Sequence, residues 1–576
     1  MKKNIIRRSY PAHVIASLHA FHPVLQRVYA ARQVQSAHEL NHALDCLHPY
    51  HTLIGIEKAV NLMAEAVMQN QKILIVGDFD ADGATSTALA VRALRSFGAQ
   101  HVQFLVPNRF AYGYGLTPEL ITAAEDFAPD VIVTVDNGIA NHAGVEAAKQ
   151  RGIRVIITDH HLPAATLPAA DAIVNPNQRG DNFPSKHLAG VGVIFYVMLA
   201  LRRHLSTIGW FAKKQLAEPN MSRLLDLVAL GTVADLVPLD HNNRILIHQG
   251  LRRIRAGLSV PGIVALLELS DRNFTRAVAS DLGFAVAARL NAAGRLDDMS
   301  LGIECLLCDD GARARDIARR LDQLNNERKS IEQDMQTQAL EALNKLILRL
   351  QGELPNGLCL FDTSWHQGVI GILAARIKDR FNRPVIVFAP GQENELKGSA
   401  RSIAGLHIRD ILALIDAQYP GLIHKFGGHA MAAGLTIASH ALEPFTKAFN
   451  ETVSQQIADI DLQHALFSDG ELCAEDISLE VAALLRDAGP WGQVFPEPLF
   501  DDTFQIVDQR LVAEKHLKLR LLKAEKLIDA IAFFVDTNAW PNHRCQSIRA
   551  AYRLDVNEYK GRQTVQLIID YFEPAC

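Results

Sequence analysis

Residues 72–83, "KILIVGDFDADG", set a short β-branched run, Ile73 to Val76, directly before three aspartates at alternate positions, Asp78, Asp80 and Asp82. D-x-D-x-D-G also opens an EF-hand loop. Here the twelfth position, which should be a bidentate glutamate, is Leu89, and the segment entering the loop reads as a strand and not a helix. Capping of the following helix would occupy one carboxylate or two, but not three. The stretch therefore reads as a strand that ends in a divalent-metal site and turns into a helix.

The same grammar repeats downstream. "VQFLVP" (102–107), "DVIVTVDNG" (130–138), "IRVIITDHH" (153–161) and "AIVNP" (172–176) are short apolar runs separated by helical stretches such as "GATSTALAVRALRSFG" (83–98). Alternating strands and helices of this kind predict βαβ units on a parallel sheet, and nearly all-apolar strands predict burial on both faces. Asp78, Asp136 and Asp159 each fall just past a strand end. In open α/β sheets ligands bind outside the carboxyl ends of the strands. Three strands thus deliver acids to one sheet edge.

At 576 residues, and ~150 residues per domain, the chain should hold three or four domains. Hydrophobic content of 49% with 21% charged residues is that of a soluble globular protein. The longest apolar run, Leu188 to Leu201, has 14 residues, too few for a bilayer span. Lys2, Lys3, Arg7 and Arg8 precede the first acid, Glu39, without the apolar centre of a secretory signal, so a basic arm of a cytoplasmic protein is expected. The seven cysteines include one C-x-x-C, Cys305 and Cys308, with no second pair at zinc spacing, which predicts buried thiols in a reducing compartment. A net charge of −5 requires any nucleic-acid surface to be local.

Residues 311–351 lack proline and internal glycine and carry apolar residues at helical spacing, so they predict one connecting helix of about 60 Å. A second α/β unit follows, with strands at "GLCLFD" (357–362) and "PVIVFA" (384–389) around a helix. After about residue 460 the pattern becomes short alternating strands, a small β domain. There "EKHLKLRLLKAEK" (514–526) alternates Lys518 and Arg520 with leucines, giving a cationic strand face suited to a phosphodiester backbone. A solvated edge strand is the plainer reading.

Two-metal phosphoryl hydrolysis needs bridging carboxylates and histidine. Asp78, Asp80, Asp82, Asp136, Asp159, His160, His161 and Asp235 of "ALGTVADLVPL" supply that set. "DHH" behind a strand, with "GDFDADG" and "DNG" upstream, resembles the DHH phosphoesterase superfamily. "NRFAYGYGL" (108–116), "RLNAAGR" (289–295), "WHQGVIGILAAR" (365–376), "KGSARS" (397–402) and "KFGGHAMAAG" (425–434) resemble its bacterial branch of exonucleases specific for single-stranded DNA. The likeness runs from "HPVLQRVYAAR" near residue 22 through the last domain, with Phe79 where that branch often has tyrosine.

The resemblance implies a metal-dependent exonuclease of DNA repair and recombination that degrades single-stranded DNA from its 5′ end to mononucleotides. It implies two Mn²⁺ or Mg²⁺ ions on Asp80, Asp82, Asp136, His160 and Asp235, with Asp136 bridging. Asp78 would be a ligand or one shell out, Asp159 would orient a histidine, and His161 would face the substrate phosphate. Substrate contacts would come from Arg109, Tyr114, Arg289, Arg295, Ser399, Arg401, Gly427, Gly428 and His429, with Lys518 and Arg520 on the last domain. The implied organisation is an N-terminal helical arm (1–50), a parallel-sheet DHH domain (51–309), a connecting helix (310–352), a DHHA1 domain (353–458) facing the first across a cleft, and an OB-fold β-barrel (459–576). Single-stranded DNA is the implied partner, together with a single-strand-binding protein and a helicase, and no membrane. Two other functions fit the superfamily: a phosphodiesterase of short oligoribonucleotides or cyclic dinucleotides, and a replication scaffold that has lost its metals. The intact carboxylates and histidines speak against the scaffold.

Overall fold

The structure, a computed structural model, describes residues 3–107, 115–349, 354–392, 394–457, 465–559 and 561–575. The first sheet has five strands, all parallel, in the order Val102–Leu105, Ile73–Val76, Val131–Val135, Arg154–Thr158, Ala172–Val174. Every residue of Ile73–Val76 and of Val131–Val135 is buried, as their unbroken apolar runs predict. The two strands pair in register, Ile73 opposite Val131, so their carboxyl ends finish level and Asp78 and Asp136 emerge side by side. The apolar run Leu188 to Leu201 lies largely in a core helix, Gly190–Thr207, buried along most of its length. Among the described residues no helix is long and apolar enough to cross a membrane. Cys305 is buried and Cys308 half-buried, both as free thiols.

The connecting helix spans Gly311–Arg349, 39 residues. The chain divides into two compact units, one of Ile5–Asp322 with Leu466–Cys576, the other of Gln323–Ala465 with the first four residues. The second unit holds a five-stranded mixed sheet in which Leu358–Phe361 and Val385–Pro390 run parallel and Glu395–Arg401, Ala432–Ala438 and Lys425–Gly428 continue antiparallel.

The last strands close into a five-stranded barrel, Phe500–Val512, His516–Lys523, Lys526–Ala532, Arg562–Pro574 and Ser547–Tyr559, the first pairing with the last. This barrel belongs to the same compact unit as the parallel sheet. Its attachment runs through the N-terminal arm. Arg32 donates to both carboxylate oxygens of Asp469 at 2.8 and 3.0 Å and to the carbonyls of Val28 and Pro496. The side chains of the pair are 1% and 0% exposed. The guanidinium also lies 5.3 Å from the Trp491 ring. Tyr29 donates to the Ala488 carbonyl, Arg7 bonds Asp501, and Arg244 of the helix His241–Arg255 sits 4.4 Å over Phe495.

Breaking a buried ion pair by removing one partner strands the other charge. Asp469→Ala should therefore lower unfolding free energy by about 3–5 kcal/mol in urea titration. Arg32→Met combined with Asp469→Leu should recover part of that loss. A single variant within the error of the parent would show that the pair does not hold barrel to sheet.

Candidate active site

The first two aspartates of the "DFDAD" turn are positioned by local backbone rules. Asp78 accepts from the Phe79 amide at 2.7 Å. Asp80 is the N-cap of the helix Ala81–Ser96 and accepts from the Gly83 amide at 3.0 Å, so the capping role does apply to one carboxylate. Asp82 reaches across the unit. Its two oxygens accept from the Gly190 and Val191 amides, at 2.6 and 3.0 Å, at the start of Gly190–Thr207. A carboxylate has about four lone-pair directions, so each keeps capacity to hold a cation.

Asp136 stands in the left-handed region at φ 62°, which turns its carboxylate back over the sheet edge. The "DNG" that follows explains how. Asn137 donates to the carbonyls of Val76 and Val135 at 3.1 and 2.9 Å, tying the Asp136 turn to the strand that leads to Asp78. Gly138 is at φ 116°, where a Cβ would come within 2.5 Å of the Thr134 hydroxyl.

His160 places Nε2 3.0 Å from Asp136 Oδ1 and 3.5 Å from Asp235 Oδ2, at the end of the helix Leu225–Ala234. Asp159 is turned inward. It accepts from the His160, His161 and Ile139 amides and lies 2.7 Å from His161 Nδ1. Burial alone would raise the Asp159 pKa, but the His161 hydrogen bond and the histidine charges outweigh it and hold the carboxyl down at about 2. Burial likewise opposes the His161 cation, yet the Asp159 bond and charge raise that ring to about 9.

Three sets of donor atoms lie within 4.8 Å of one another: Asp78, Asp80 and Asp136; Asp82, His160 and Asp235; Asp136, His160 and His161. Asp136 and His160 each belong to two sets. The carboxylates are mutually frustrated. Burial, then the Asp235 charge, pushes Asp82 up to about 7, and burial, then Asp80, does the same to Asp235. Burial followed by Asp82, Asp80 and Asp78 pushes Asp136 well above the ordinary range. Buried acids that repel one another need cations between them, and mixed carboxylate and imidazole donors suit Mn²⁺ or Mg²⁺. The residues fit divalent metals.

Several supporting groups carry no metal-ligand signature in the sequence. Asn175 and Asn177 donate to the His161 and His160 carbonyls at 2.9 and 2.6 Å and clamp the "DHH" backbone from the last strand end. A Cβ on Gly190 would sit 2.5 Å from Asp136 Cβ. The "RLNAAGR" helix buttresses the aspartate turn. Asn291 accepts from the Ala81 amide at 2.8 Å, and a Cβ on Gly294 would lie 1.8 Å from the Phe79 carbonyl.

The expected substrate contacts distribute differently. Arg109 and Tyr114 lie outside the described residues. Arg289 is buried, with Nε and Nη2 on Asp322 at 2.8 Å and Nη1 on the Ala285 carbonyl, so an ion pair already engages it. Arg295 is half-buried on the same helix. Ser399, Arg401, Gly427, Gly428 and His429 belong to the other compact unit. There Arg401 donates to Ser399 Oγ at 3.2 Å, Ser399 pairs with Gly434, and Gly434 pairs with Gly427. A Cβ on Gly371, in the first turn of Ile370–Phe381, would touch both Ser399 and Arg401, so one helix start, one hydroxyl and one guanidinium converge. On the barrel Lys518 pairs with Arg510, whereas Arg520 pairs with Asp508 and Asp529 on the flanking strands. Three cations against two acids leave that face only weakly basic.

Comparison with known proteins agrees with this architecture. The DHH family, N-terminal domain, matches residues 72–232, the DHHA1 domain residues 354–455, and the RecJ OB domain residues 468–571. The chain is 54% identical to the single-stranded-DNA-specific exonuclease RecJ of Escherichia coli (strain K12), over 100% of both chains. It is 50% identical to the protein of that name from Haemophilus influenzae, again over 100% of both. A crystal structure of RecJ in complex with Mn²⁺ from Thermus thermophilus superposes with a TM-score of 0.80 at 29% identity, covering 99% of this chain and 79% of that one. A Mg²⁺ complex of the same protein gives 0.75 at 27% identity, covering 100% and 78%.

Proposed function

We propose that this chain, which belongs to the RecJ family, is an exonuclease that hydrolyses single-stranded DNA from the 5′ end to mononucleotides. The observation that carries the chemistry is the carboxylate and imidazole cluster at the parallel sheet edge, centred on Asp136 and His160. The substrate class comes from the relatives named for that activity.

Asp78, Asp80 and Asp136 would hold one divalent ion, and Asp82, His160 and Asp235 a second. Mn²⁺ or Mg²⁺ bound there would supply an activated water and neutralise charge on the leaving oxygen. The chain's own residues do the rest. Asp159 fixes the His161 ring through Nδ1 and its charge favours the protonated ring, so His161 would offer a proton donor to the phosphate. Asn175 and Asn177 hold the backbone of both histidines at the sheet edge. Within the second unit, Ser399, Arg401 and the turn Gly427–Gly428–His429 would bind a phosphate of the strand; for the first unit the motif residues Arg109 and Tyr114 are the candidates. The implied partners are a helicase that supplies single strands and a single-strand-binding protein that covers them, in DNA repair and recombination in the cytoplasm.

The test is digestion of labelled single strands, duplex DNA and short RNA in Mn²⁺, with 5′-phosphate, 5′-hydroxyl and blocked 5′ ends. Mononucleotide release from unblocked single strands is expected. Release only from short RNA would make the chain an oligoribonuclease. Excess chelator should silence hydrolysis, Mn²⁺ or Mg²⁺ should restore it, and Ca²⁺, which takes more ligands at longer distances, should not. Full activity in chelator would refute a metal-dependent site.

A further inference from the structure

The helix that buttresses the aspartate turn starts at Ala279–Asp281, runs through a π-helical stretch, Leu282–Ala287, and continues as Ala288–Leu296. Between residues 284 and 295 only Phe284, Ala288, Asn291 and Arg295 are open to solvent, wholly or in part. Their spacing of four, three and four residues places them on one side of the helix. Asn291 marks where that side points, because its side chain bonds Ala81 inside the aspartate turn. The open stripe therefore runs past the metal-binding turn, with an arginine at one end and an aromatic ring at the other. Phe284 is 83% exposed, the highest value for any large apolar side chain among the described residues. Seven residues separate it from Asn291, about 10 Å along the axis.

A second feature adjoins it. Gly283 packs against Val233, whose helix ends at the ligand Asp235. The next residue, Leu236, is 65% exposed and held at φ 56°, a conformation that costs a leucine energy. Scattered exposed apolar residues need no explanation. Two at adjoining helical segments, one of them a π-helical turn of the kind found at functional sites, do.

We infer that Phe284 is a stacking platform for a nucleobase of the substrate strand, set back from the phosphodiester being cut, with Leu236 as its apolar shoulder. At about 10 Å from the level of Asn291 the ring is out of reach of the reacting phosphate, so it acts on a flanking nucleotide. This rests on the single-stranded-DNA reading. A single strand has unpaired π-faces to offer, whereas a duplex keeps its bases stacked on one another, so the ring also favours unpaired substrate.

The test uses the full chain in chelator, with binding of a labelled single strand read by fluorescence anisotropy. Base-on-aromatic stacking is worth ~1–3 kcal/mol, so Phe284→Ala should weaken binding roughly 5- to 150-fold, Phe284→Trp should preserve it, and Phe284→Leu should fall near the alanine variant. On a strand of abasic sugars the parent and Phe284→Ala should bind alike. Equal binding of the parent and Phe284→Ala to the normal strand would overturn the assignment, as would a difference that persists on the abasic strand. A parent that binds no single strand would instead refute the proposed substrate.

Discussion

Asp136→Asn should lower hydrolysis of single-stranded DNA at least about a thousandfold, ~4 kcal/mol of barrier, in a protein that stays folded. Asparagine keeps the shape and tolerates the left-handed backbone at φ 62°. What it removes is the charge shared by two of the three donor sets. Two cations held close together without an anion between them repel strongly at the low effective dielectric of a buried site. The stability readout separates this from misfolding. The Asp136 pKa is raised by burial and by Asp82, Asp80 and Asp78. A carboxyl with a raised folded-state pKa weakens the fold as pH climbs above its unfolded value near 4. In chelator at neutral pH the variant should therefore melt at or above the parent, while the rise in melting temperature on adding Mn²⁺ should shrink. A variant that melts lower in chelator, or keeps activity within tenfold, would take Asp136 out of the metal site.

The parts of this site that are legible in the sequence are those that local pattern controls. Strand ends can be read from apolar runs, and Asp78, Asp136 and Asp159 follow from strand ends. Asp235 lacks that advantage, since it ends a helix and joins the cluster through tertiary packing alone. Asn175 and Asn177 act through side-chain bonds to another strand's loop, and an "NPN" reads first as a turn. Arg289 reads as a phosphate ligand from its motif, and its pairing with Asp322, thirty-three residues on, appears only in the fold. Arg520 reads as part of a cationic stripe because Asp508 and Asp529 become its neighbours only when the adjacent strands pair. The N-terminal arm is the plainest case. Its composition reads as a basic arm, yet Arg32 is among its most buried side chains, held by Asp469 more than four hundred residues away. Burial of a charge depends on contacts that no local window contains.

Gly190→Ala should cost at least about a hundredfold in turnover without altering any ligand. The residue is not in the left-handed region, so the constraint is space and not backbone conformation. A Cβ there would come within 2.5 Å of Asp136 Cβ and 2.7 Å of its Oδ1. Asp136 has no room to yield, because its amide is bonded to the Thr158 carbonyl and its turn is tied down by Asn137. The helix start must move instead, and with it the Gly190 and Val191 amides that hold Asp82. One methyl group thus displaces Asp82, a donor of the set it forms with His160 and Asp235, and misplacement by about 1 Å is worth about a hundredfold in rate. Gly192→Ala is the control. Its Cβ would meet Leu188 Cδ2 at 3.0 Å, the far end of a flexible side chain, so near-parental turnover is expected. Both changes add a better helix former, by up to about 1 kcal/mol, so loss of the fold is not the expected route to inactivity. Melting curves check that directly, and Mn²⁺ titration of the Gly190 variant should show weakened binding. Turnover within a few-fold of the parent for Gly190→Ala would mean that the sheet edge can relax around the methyl, and that the close approach of helix to carboxylate does not position the metal ligands.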